Sequence, residues 1–562
     1  GEQGSGPSDP TRDTTAVPST SPGSTGDDPT TTGPIDRPQG FGARLEFFGD
    51  CPALLDYMQT EATERVTPWG LGGGPVMYAD DTAVDLDATE EAAPDAAGAP
   101  TSPGGGEDPV YSGTNTQEIG VDEGDIVETD GRYVYVAGQD GVRIVSVADA
   151  AVVAEPELPS GNHQMLLESG RLLVVTSSWS GSADTIVSLY DVADPSTPSL
   201  LRRSHLEGFV VATRSIDGVA RLVISTSFDQ RLPFVQPSQF GYDEASALER
   251  NKQIIAESAV EDWLPRWFDE AGDGSFGEIR QILPCEDVAA PADFAGLGLT
   301  WIASVDTLGD ATPVGSAGIV STGDTVYAST DNLYIATQNW DWRWGGPVPM
   351  PVDDVAVDPA IEPGPDDAGS DDPDTADSAL PEPDDQPGPP PTLIHQFDLG
   401  DGTDATYVAS GAVEGRLLNQ FAMSEHDGDL RVATTTDDWG FGEQQDSTVY
   451  VLRPSGDELQ QISAIGGLGK GEQIYAVRFI GDVGYVVTFR QIDPLYVLAL
   501  SDPANPVLEG ELKIPGYSAY LHPVGDGLLL GVGQDATDEG RTTGTQLSLF
   551  DVSDPTDPQR IS

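Results

Sequence analysis

A unit of four short apolar strands recurs about seven times between residue 111 and the end of the chain. Its clearest copy, HQMLLESGRLLVVTSSWSGSADTIVSLYDVADPSTPSLLRRSHLEG, alternates apolar strands with a tight turn, a variable loop and a second turn. Four antiparallel strands per unit, at a period of roughly 40–50 residues, are typical of propeller blades and not of two packed sheets. The sequence therefore predicts an all-β fold, a β-propeller of about seven four-stranded blades.

Turn residues set the limits of the strands. Asp-Gly and Ser-Gly pairs accept positive φ and favour two-residue hairpins, whereas proline ends a strand. The predicted second strands are RYVYVAG, RLLVVTS, RLVISTS, NLYIATQ, LRVATTT, GYVVTFR and LLLGVGQ. The hairpin pairs are Asp130-Gly131, Ser169-Gly170, Asp217-Gly218, Asp427-Gly428 and Asp526-Gly527, and Asp-Pro turns follow the third strands at 191–198, 501–506 and 551–558.

Several segments precede or interrupt the repeat. Tracts rich in Thr, Ser, Pro, Gly and Asp cannot bury enough apolar surface to offset their ordering entropy. Apolar residues at helical spacing predict a short helix within 45–66, capped by Asp50, and another near 243–258. The predicted organisation is a disordered stalk (1–40), an N-terminal helical segment (41–72), an acidic linker (73–110) and the propeller (111–562), with a helical insertion (228–296) and an acidic, Pro-rich one (338–391).

Charge narrows the range of partners. The chain carries 94 acidic and 26 basic residues, a net charge of −68. Nucleic acid is excluded, since its binding depends on Lys and Arg neutralising phosphates, and an anionic membrane surface is disfavoured for the same reason. Abundant Asp with scarce Lys indicates either adaptation to high salt or an ordinary acidic secreted protein of a high-GC genome.

Several features favour an extracytoplasmic protein. No run of about 18 apolar residues is present, so no transmembrane segment is expected. Without an initiator Met or an apolar N-terminal segment, we expect a targeting peptide to have been removed and residues 1–40 to serve as a tether. An even cysteine count in such a chain favours a Cys51–Cys285 disulfide; the alternative is two buried free thiols.

Two stretches carry a family resemblance: TNTQEIGVDEGDIVETDGRYVYV (114–136) and LLNQFAMSEHDGDLRVATTT (417–436). With EDWLPRWFD (261–269), LPCEDV (283–288) and CPALLDYMQTEATERV (51–66), they resemble a family of secreted bacterial and archaeal β-propeller domains distantly related to WD-40 repeats. The resemblance implies a propeller, export and support for the disulfide, but no activity. Members of that family continue past the last Asp-Pro unit with more strand-rich sequence, so the resemblance leaves two blade counts open: seven, or eight with the closing blade clipped.

One face of the predicted propeller bears the long loops. Connections after the second and fourth strands of each blade leave the same face, here called the loop face, because the strands are antiparallel. Aromatic side chains there predict a site for a protein or carbohydrate, and the alternative is that they pack beneath the insertions. These residues are Trp179, Trp340, Trp342, Trp344, Trp439 and Phe441.

A cluster of carboxylates precedes the first blade. Asp122, Glu123 and Asp125 supply the oxygen ligands that Ca²⁺ prefers, although they do not form an EF-hand loop. We expect this segment on the loop face. The alternative reading is caps and turn hydrogen bonds, and no other cofactor is expected.

These features predict a non-enzymatic binding or scaffold protein, since no catalytic motif stands in a convincing context. One alternative is a hydrolase or metal-dependent enzyme with its site in the axial channel, for which His163 and Glu168 are candidates. Another is a purely architectural role in the envelope.

Overall fold

The computed structural model describes an N-terminal segment and most of the repeat region. The described residues are 42–71, 116–139, 141–178, 185–228, 231–237, 241–338, 391–400, 402–436, 445–489, 493–514, 516–525, 527–537 and 542–562.

The chain forms a short strand and a helix before its first blade. Asp50 caps the helix, its Oδ1 accepting a hydrogen bond from the Ala53 N–H at 2.9 Å. Leu54, Met58 and Ala62, spaced by four residues, form its buried face. The elements are β1 (Leu45–Phe47), α1 (Cys51–Arg65), β2 (Asp122–Glu123), and blade 1 with β3 (Val127–Thr129), β4 (Tyr133–Gly138), β5 (Gly141–Ser146) and β6 (Ala151–Ala154).

Blades 2 and 3 follow, and the helical insertion interrupts blade 3. The elements are β7 (Asn162–Glu168), β8 (Arg171–Ser177), β9 (Thr185–Asp191), β10 (Ser199–Leu206), β11 (Phe209–Ile216), β12 (Val219–Thr226), α2 (Glu244–Glu257), β13 (Arg266–Asp269), β14 (Arg280–Gln281), β15 (Val288–Pro291), β16 (Leu299–Asp306) and β17 (Val314–Ile319).

Blades 4 to 7 each have four strands in chain order. They are β18 (Gly323–Ala328), β19 (Asn332–Gln338), β20 (Thr392–Asp398), β21 (Thr406–Val413), β22 (Met423–His426), β23 (Asp429–Thr436), β24 (Asp446–Ser455), β25 (Glu458–Leu468), β26 (Gln473–Ile480), β27 (Val483–Phe489), β28 (Asp493–Ala499), β29 (Val507–Ile514), β30 (Tyr517–Gly525), β31 (Leu528–Ala536), β32 (Thr542–Asp551) and β33 (Gln559–Arg560).

The predicted β-propeller is confirmed, with seven four-stranded antiparallel blades in the described part of the chain. Each predicted second strand is the second strand of its blade (β4, β8, β12, β19, β23, β27 and β31), and both predicted helices form. The first strand of each blade is innermost, and the next three follow outward. None of the described helices is long and apolar enough to cross a membrane.

The Gly-containing turns adopt the expected conformation. Ser169-Gly170, Asp217-Gly218 and Asp427-Gly428 have positive φ at both residues, as a two-residue hairpin requires. The connection from β3 to β4 is longer, and there only Gly131 has positive φ (79°).

The helical insertion lies on the loop face and also pairs with the outer strands of two blades. It leaves that face after β12, but β13 pairs with β10 and β15 pairs with β17, so it also extends the outer edges of blades 2 and 3. The predicted Cys51–Cys285 disulfide is present and ties α1 to this insertion. Leu54 and Met58 of α1 share one apolar cluster with Trp263 of the insertion and with residues of both blades.

An apolar cluster lies between each pair of successive blades from 1–2 to 6–7. Burial between neighbouring sheets is therefore what holds the blades side by side.

Candidate functional site on the propeller axis

The lead-in segment, residues 116–126, lies inside the ring of innermost strands. Its β2 pairs antiparallel with the inner side of β11, with Glu123 opposite Arg214 and Asp122 opposite Ser215. On the other side, the Asp125 N–H donates to the Met165 carbonyl at 3.0 Å. The segment therefore occupies the axis between blades 2 and 3.

Two glycines allow the backbone to fit there. Gly120 has a φ of +88°, which disfavours other residues. A Cβ at Gly124 would lie 2.9 Å from Gln164 Oε1 and 3.1 Å from Thr213 Cβ. Gly120 is thus favoured by its backbone conformation, and Gly124 by the close packing of the Gln164 and Thr213 side chains.

Gln117 joins the lead-in segment to blade 5. Its Nε2 donates to the carbonyls of Gln420 at 3.1 Å and Met423 at 2.8 Å. Its own N–H donates to Glu123 Oε1 at 3.1 Å, and Gln420 Nε2 donates to Glu123 Oε2 at 2.9 Å. Both oxygens of the Glu123 carboxylate are therefore hydrogen-bonded to glutamine groups.

Glu118 joins the segment to blades 4 and 5 through a tyrosine. The Tyr327 hydroxyl donates to Glu118 Oε1 at 2.8 Å and accepts from the Glu425 N–H at 2.7 Å. The Glu425 carboxylate in turn accepts from the Ser329 hydroxyl at 2.7 Å and the Tyr334 hydroxyl at 3.1 Å. Both carboxylates therefore have hydrogen-bond donors despite their partial burial.

Three buried arginines approach the axis from different blades. Arg214 donates to Gln420 Oε1 and to the Val326 carbonyl. Arg431 donates to the Ser424 hydroxyl at 2.8 Å, and Arg478 donates to the Gln117 carbonyl at 3.5 Å and lies over the Phe421 ring, 5.0 Å from its centroid. We call Gln117, Glu118, Asp122, Glu123, Arg214, Tyr327, Gln420, Ser424, Arg431 and Arg478 the axial cluster.

Burial dominates the electrostatics of the axial cluster. Desolvation, reinforced by Glu168 and Glu123, raises the pKa of Asp122 to about 6. Desolvation also raises the pKa of Glu118, although Tyr327, Arg478 and Arg431 oppose the rise. The axis thus combines carboxylates with guanidinium groups, and its charges are held by internal hydrogen bonds.

The predicted carboxylates lie at the axis but do not converge. Asp122 and Glu123 are consecutive residues of a strand, so their side chains point in opposite directions, and Glu123 binds two glutamines. In the described part of the chain no three His, Cys, Asp or Glu side chains are grouped as a metal site requires. The arrangement does not favour the calcium interpretation of Asp122, Glu123 and Asp125.

Asp122 and Glu123 lie farther along the axis than the loop face, opposite the second half of β11, whereas Asp125 pairs with Met165 midway along β7. Arg214, Tyr327 and Arg478 occupy the second halves of innermost strands that run away from the loop face. The lead-in segment reaches them because β2 runs back along the axis, antiparallel to β11, before the chain reverses into β3. The axial cluster is therefore nearer the opposite face.

The structure locates the two enzymatic candidates but not the residues of the predicted aromatic site. Trp179, Trp340, Trp342, Trp344, Trp439 and Phe441 all lie outside the described residues. His163 and Glu168 stand near opposite ends of β7, about 17 Å apart at the usual rise per residue. His163 Nδ1 instead contacts the Thr176 hydroxyl at 2.9 Å, so these two side chains do not form one site.

Sequence reasoning missed the arginines, the tyrosine and the glutamines of the axial cluster. A signal was nevertheless present, because 114–136 and 417–436, the two stretches that carry the family resemblance, supply seven of its ten residues. They meet at the axis even though Gln117 and Gln420 are 303 residues apart.

Two known proteins are similar to part of this chain. An uncharacterized protein of Methanocaldococcus jannaschii is 48% identical over 158 residues, 28% of this chain and 24% of that protein. One of Archaeoglobus fulgidus is 51% identical over 148 residues, 26% of this chain and 22% of that protein. The matched stretches thus span about a quarter of each relative's length.

Among solved structures, a chain of the complex of KlAtg21 with the coiled-coil of AgAtg16 aligns with a TM-score of 0.28 and 10% identity. The alignment covers 68% of this chain and 82% of that chain. A family model described as the beta propeller domain matches residues 111–562. The chain therefore belongs to the beta propeller domain family.

Proposed function

We propose that the protein is an extracytoplasmic, non-enzymatic binding or scaffold propeller that recognises a protein or glycan through its loop face. The observation that carries the proposal is the asymmetry of the connections. The chain leaves β12 at Thr226 and returns at Leu299, and it leaves β19 at Gln338 and returns at Thr392, both on the loop face. Long loops on a rigid scaffold are where binding residues concentrate.

The axial cluster also supports this proposal, because its polar groups are bonded within the protein. Glu118 and Glu123 accept hydrogen bonds from glutamine and tyrosine groups, and the arginines donate to carbonyl, amide and hydroxyl oxygens. Such a network stabilises the centre of the scaffold and leaves recognition to the periphery. The net charge of −68 favours a neutral or basic partner over an acidic one.

Replacing residues 340–344, which include three of the candidate tryptophans, by a Gly-Ser segment tests the proposal. Binding on a glycan array, or capture of envelope proteins, should fall at least about tenfold if aromatic anchors supply the affinity. The matched control is Leu308→Ala, a half-exposed residue in the turn between β16 and β17 on the opposite face. An equal loss of binding in both variants, or undiminished binding in the loop variant, would refute recognition through the loop face.

A further inference from the structure

The helical insertion contains a hairpin that lies on the outer edge of blade 2. Its β13 pairs with β10 and its β14 pairs with β13, so the blade becomes a six-stranded sheet whose outermost strand is β14. Residues 271–281 of this hairpin are exposed. They include two large apolar side chains, Phe276 and Ile279, which are 65% and 60% exposed. We call these two residues, with the neighbouring Phe268 and His205, the edge patch.

The hairpin is fixed to the blades by its other side chains. The Asp269 carboxylate accepts from Arg202 Nε at 3.0 Å and from Arg202 Nη2 at 2.7 Å. The same guanidinium donates through Nη1 to the Thr312 hydroxyl of blade 3 at 2.7 Å. Trp267 is buried, and the guanidinium groups of Arg202 and Arg280 lie over its ring. The edge patch is therefore presented by an ordered hairpin.

The side chains of the edge patch position one another. His205 stacks on Phe268 with 4.8 Å between centroids, and Phe276 meets the two rings edge-on at 5.5 and 5.3 Å. Glu270 Oε2 lies 2.8 Å from His205 Nε2 and orients the imidazole. The register of β13 and β14, continued by one residue, places Ile279 beside Phe268. Clustered exposed apolar side chains mark interaction sites, and ordered aromatic anchors lose little entropy on binding.

The edge of the sheet beside the patch is open. No described strand pairs with the outer side of β14, and both residues of β14 are exposed. An unpaired edge can add an extended segment of another chain as a further strand. Charged side chains can guard such an edge, but the Arg280 guanidinium lies over the Trp267 ring, 5.6 Å from its centroid.

The charges around the edge patch select the kind of segment. Residues 270–281 hold three carboxylates, Glu270, Asp273 and Glu278, and one cation, Arg280. A second copy of the chain would bring two such acidic rims together, against the repulsion of two molecules with a net charge of −68 each. A partner with basic residues is instead attracted to this edge.

From the edge patch, the open edge and these charges, we propose that the outer edge of blade 2 binds an extended segment of another protein in which basic and apolar residues alternate. The apolar side chains of the segment cover Phe276 and Ile279, its basic side chains face the carboxylates, and its backbone pairs with β14. This surface lies along the outer edge of the propeller and not on the loop face, so the proposal does not depend on the function proposed above.

The test uses a fluorescein-labelled octapeptide of alternating Lys and Val, whose anisotropy is followed as the whole chain is added in about 0.5 M KCl to screen long-range attraction. We expect a Kd below about 100 μM. The double variant Phe276→Ser, Ile279→Ser should weaken binding at least about tenfold without changing the Tm, because both side chains are exposed. The matched control is Leu308→Ser, a 50% exposed apolar residue of blade 3, which should leave the Kd within about twofold.

Two further peptides separate the parts of the proposal. An octapeptide of alternating Glu and Val should bind at least about tenfold more weakly than the Lys–Val peptide, and equal affinity would overturn the choice of a basic partner. A Lys–Val peptide methylated on every backbone nitrogen has no N–H to donate, so undiminished binding by this peptide would overturn pairing with β14.

The site itself has its own refuting outcomes. Absence of binding by the Lys–Val peptide, or equal binding to the whole chain and to the Phe276→Ser, Ile279→Ser variant, would overturn the edge patch as a docking surface. A concentration-dependent dimer of the whole chain in sedimentation, abolished by the same double variant, would overturn the proposal in favour of a second copy.

Discussion

Asp122 makes the stability of the propeller depend on pH in an unusual direction. Its pKa is raised from 3.8 to about 6, first by burial and then by Glu168 and Glu123. The folded state thus binds this proton more tightly than the unfolded state does. The stabilising contribution is complete below about pH 4 and is lost as the pH rises through about 6.

The magnitude follows from the size of the pKa change. A difference of this size corresponds to about 3 kcal/mol between the protonation states. Asp122→Asn removes the charge but keeps the Oδ1 that accepts from the Glu123 N–H at 3.1 Å. We expect the variant to raise the free energy of unfolding by about 2–3 kcal/mol at about pH 7 and to leave it unchanged at about pH 4.

Urea unfolding followed by tryptophan fluorescence across this pH range measures the effect, with about 1 M KCl to screen other charges. The control is Asp194→Asn, an exposed carboxylate whose pKa is lowered by hydrogen bonds from Ser196. Its contribution has the opposite sign, because it is present above the unfolded pKa and lost as the pH falls. An Asp122→Asn gain that is equal at both pH values, or absent at about pH 7, would refute the reasoning.

Three further predictions concern stability. The double variant Cys51→Ser, Cys285→Ser opens a loop with a sequence separation of 234, which should cost about 5 kcal/mol by the chain-entropy model in urea unfolding; a loss below about 1 kcal/mol would contradict it. Gly124→Ala should destabilise by about 1–3 kcal/mol, because its Cβ would meet Gln164, whereas Gly272→Ala, with no atom within 4 Å, should change the free energy of unfolding by less than about 0.5 kcal/mol. With a net charge of −68, the Tm should rise between about 0.1 and about 2 M KCl, and a flat response in calorimetry would argue against adaptation to high salt.

The fold could be predicted because its determinants are local. Apolar runs bounded by Gly- or Pro-containing turns recur in each unit, as in RLLVVTS after the Ser169-Gly170 turn, so strands can be placed without knowing their partners. The helices and the disulfide followed from similarly short patterns or from a count of two cysteines.

The axial cluster could not be predicted because its contacts are remote. Arg478 reaches the Gln117 carbonyl across 361 residues of sequence, and nothing in either neighbourhood indicates which blades meet at the axis. The calcium hypothesis lacks support in the structure for a related reason. Carboxylates at Asp122 and Glu123 look clustered in sequence, but on a strand they diverge.

The position of the lead-in segment sets the order in which the molecule can be completed. Gln117 precedes every blade, yet Arg478, one of its partners, lies in the sixth. During synthesis at about 5–20 residues per second, this segment waits roughly 20–70 seconds before that strand exists. Contacts of such long sequence separation also slow folding, because the intervening chain must be closed into a loop first. The centre of the propeller is thus begun first and finished late.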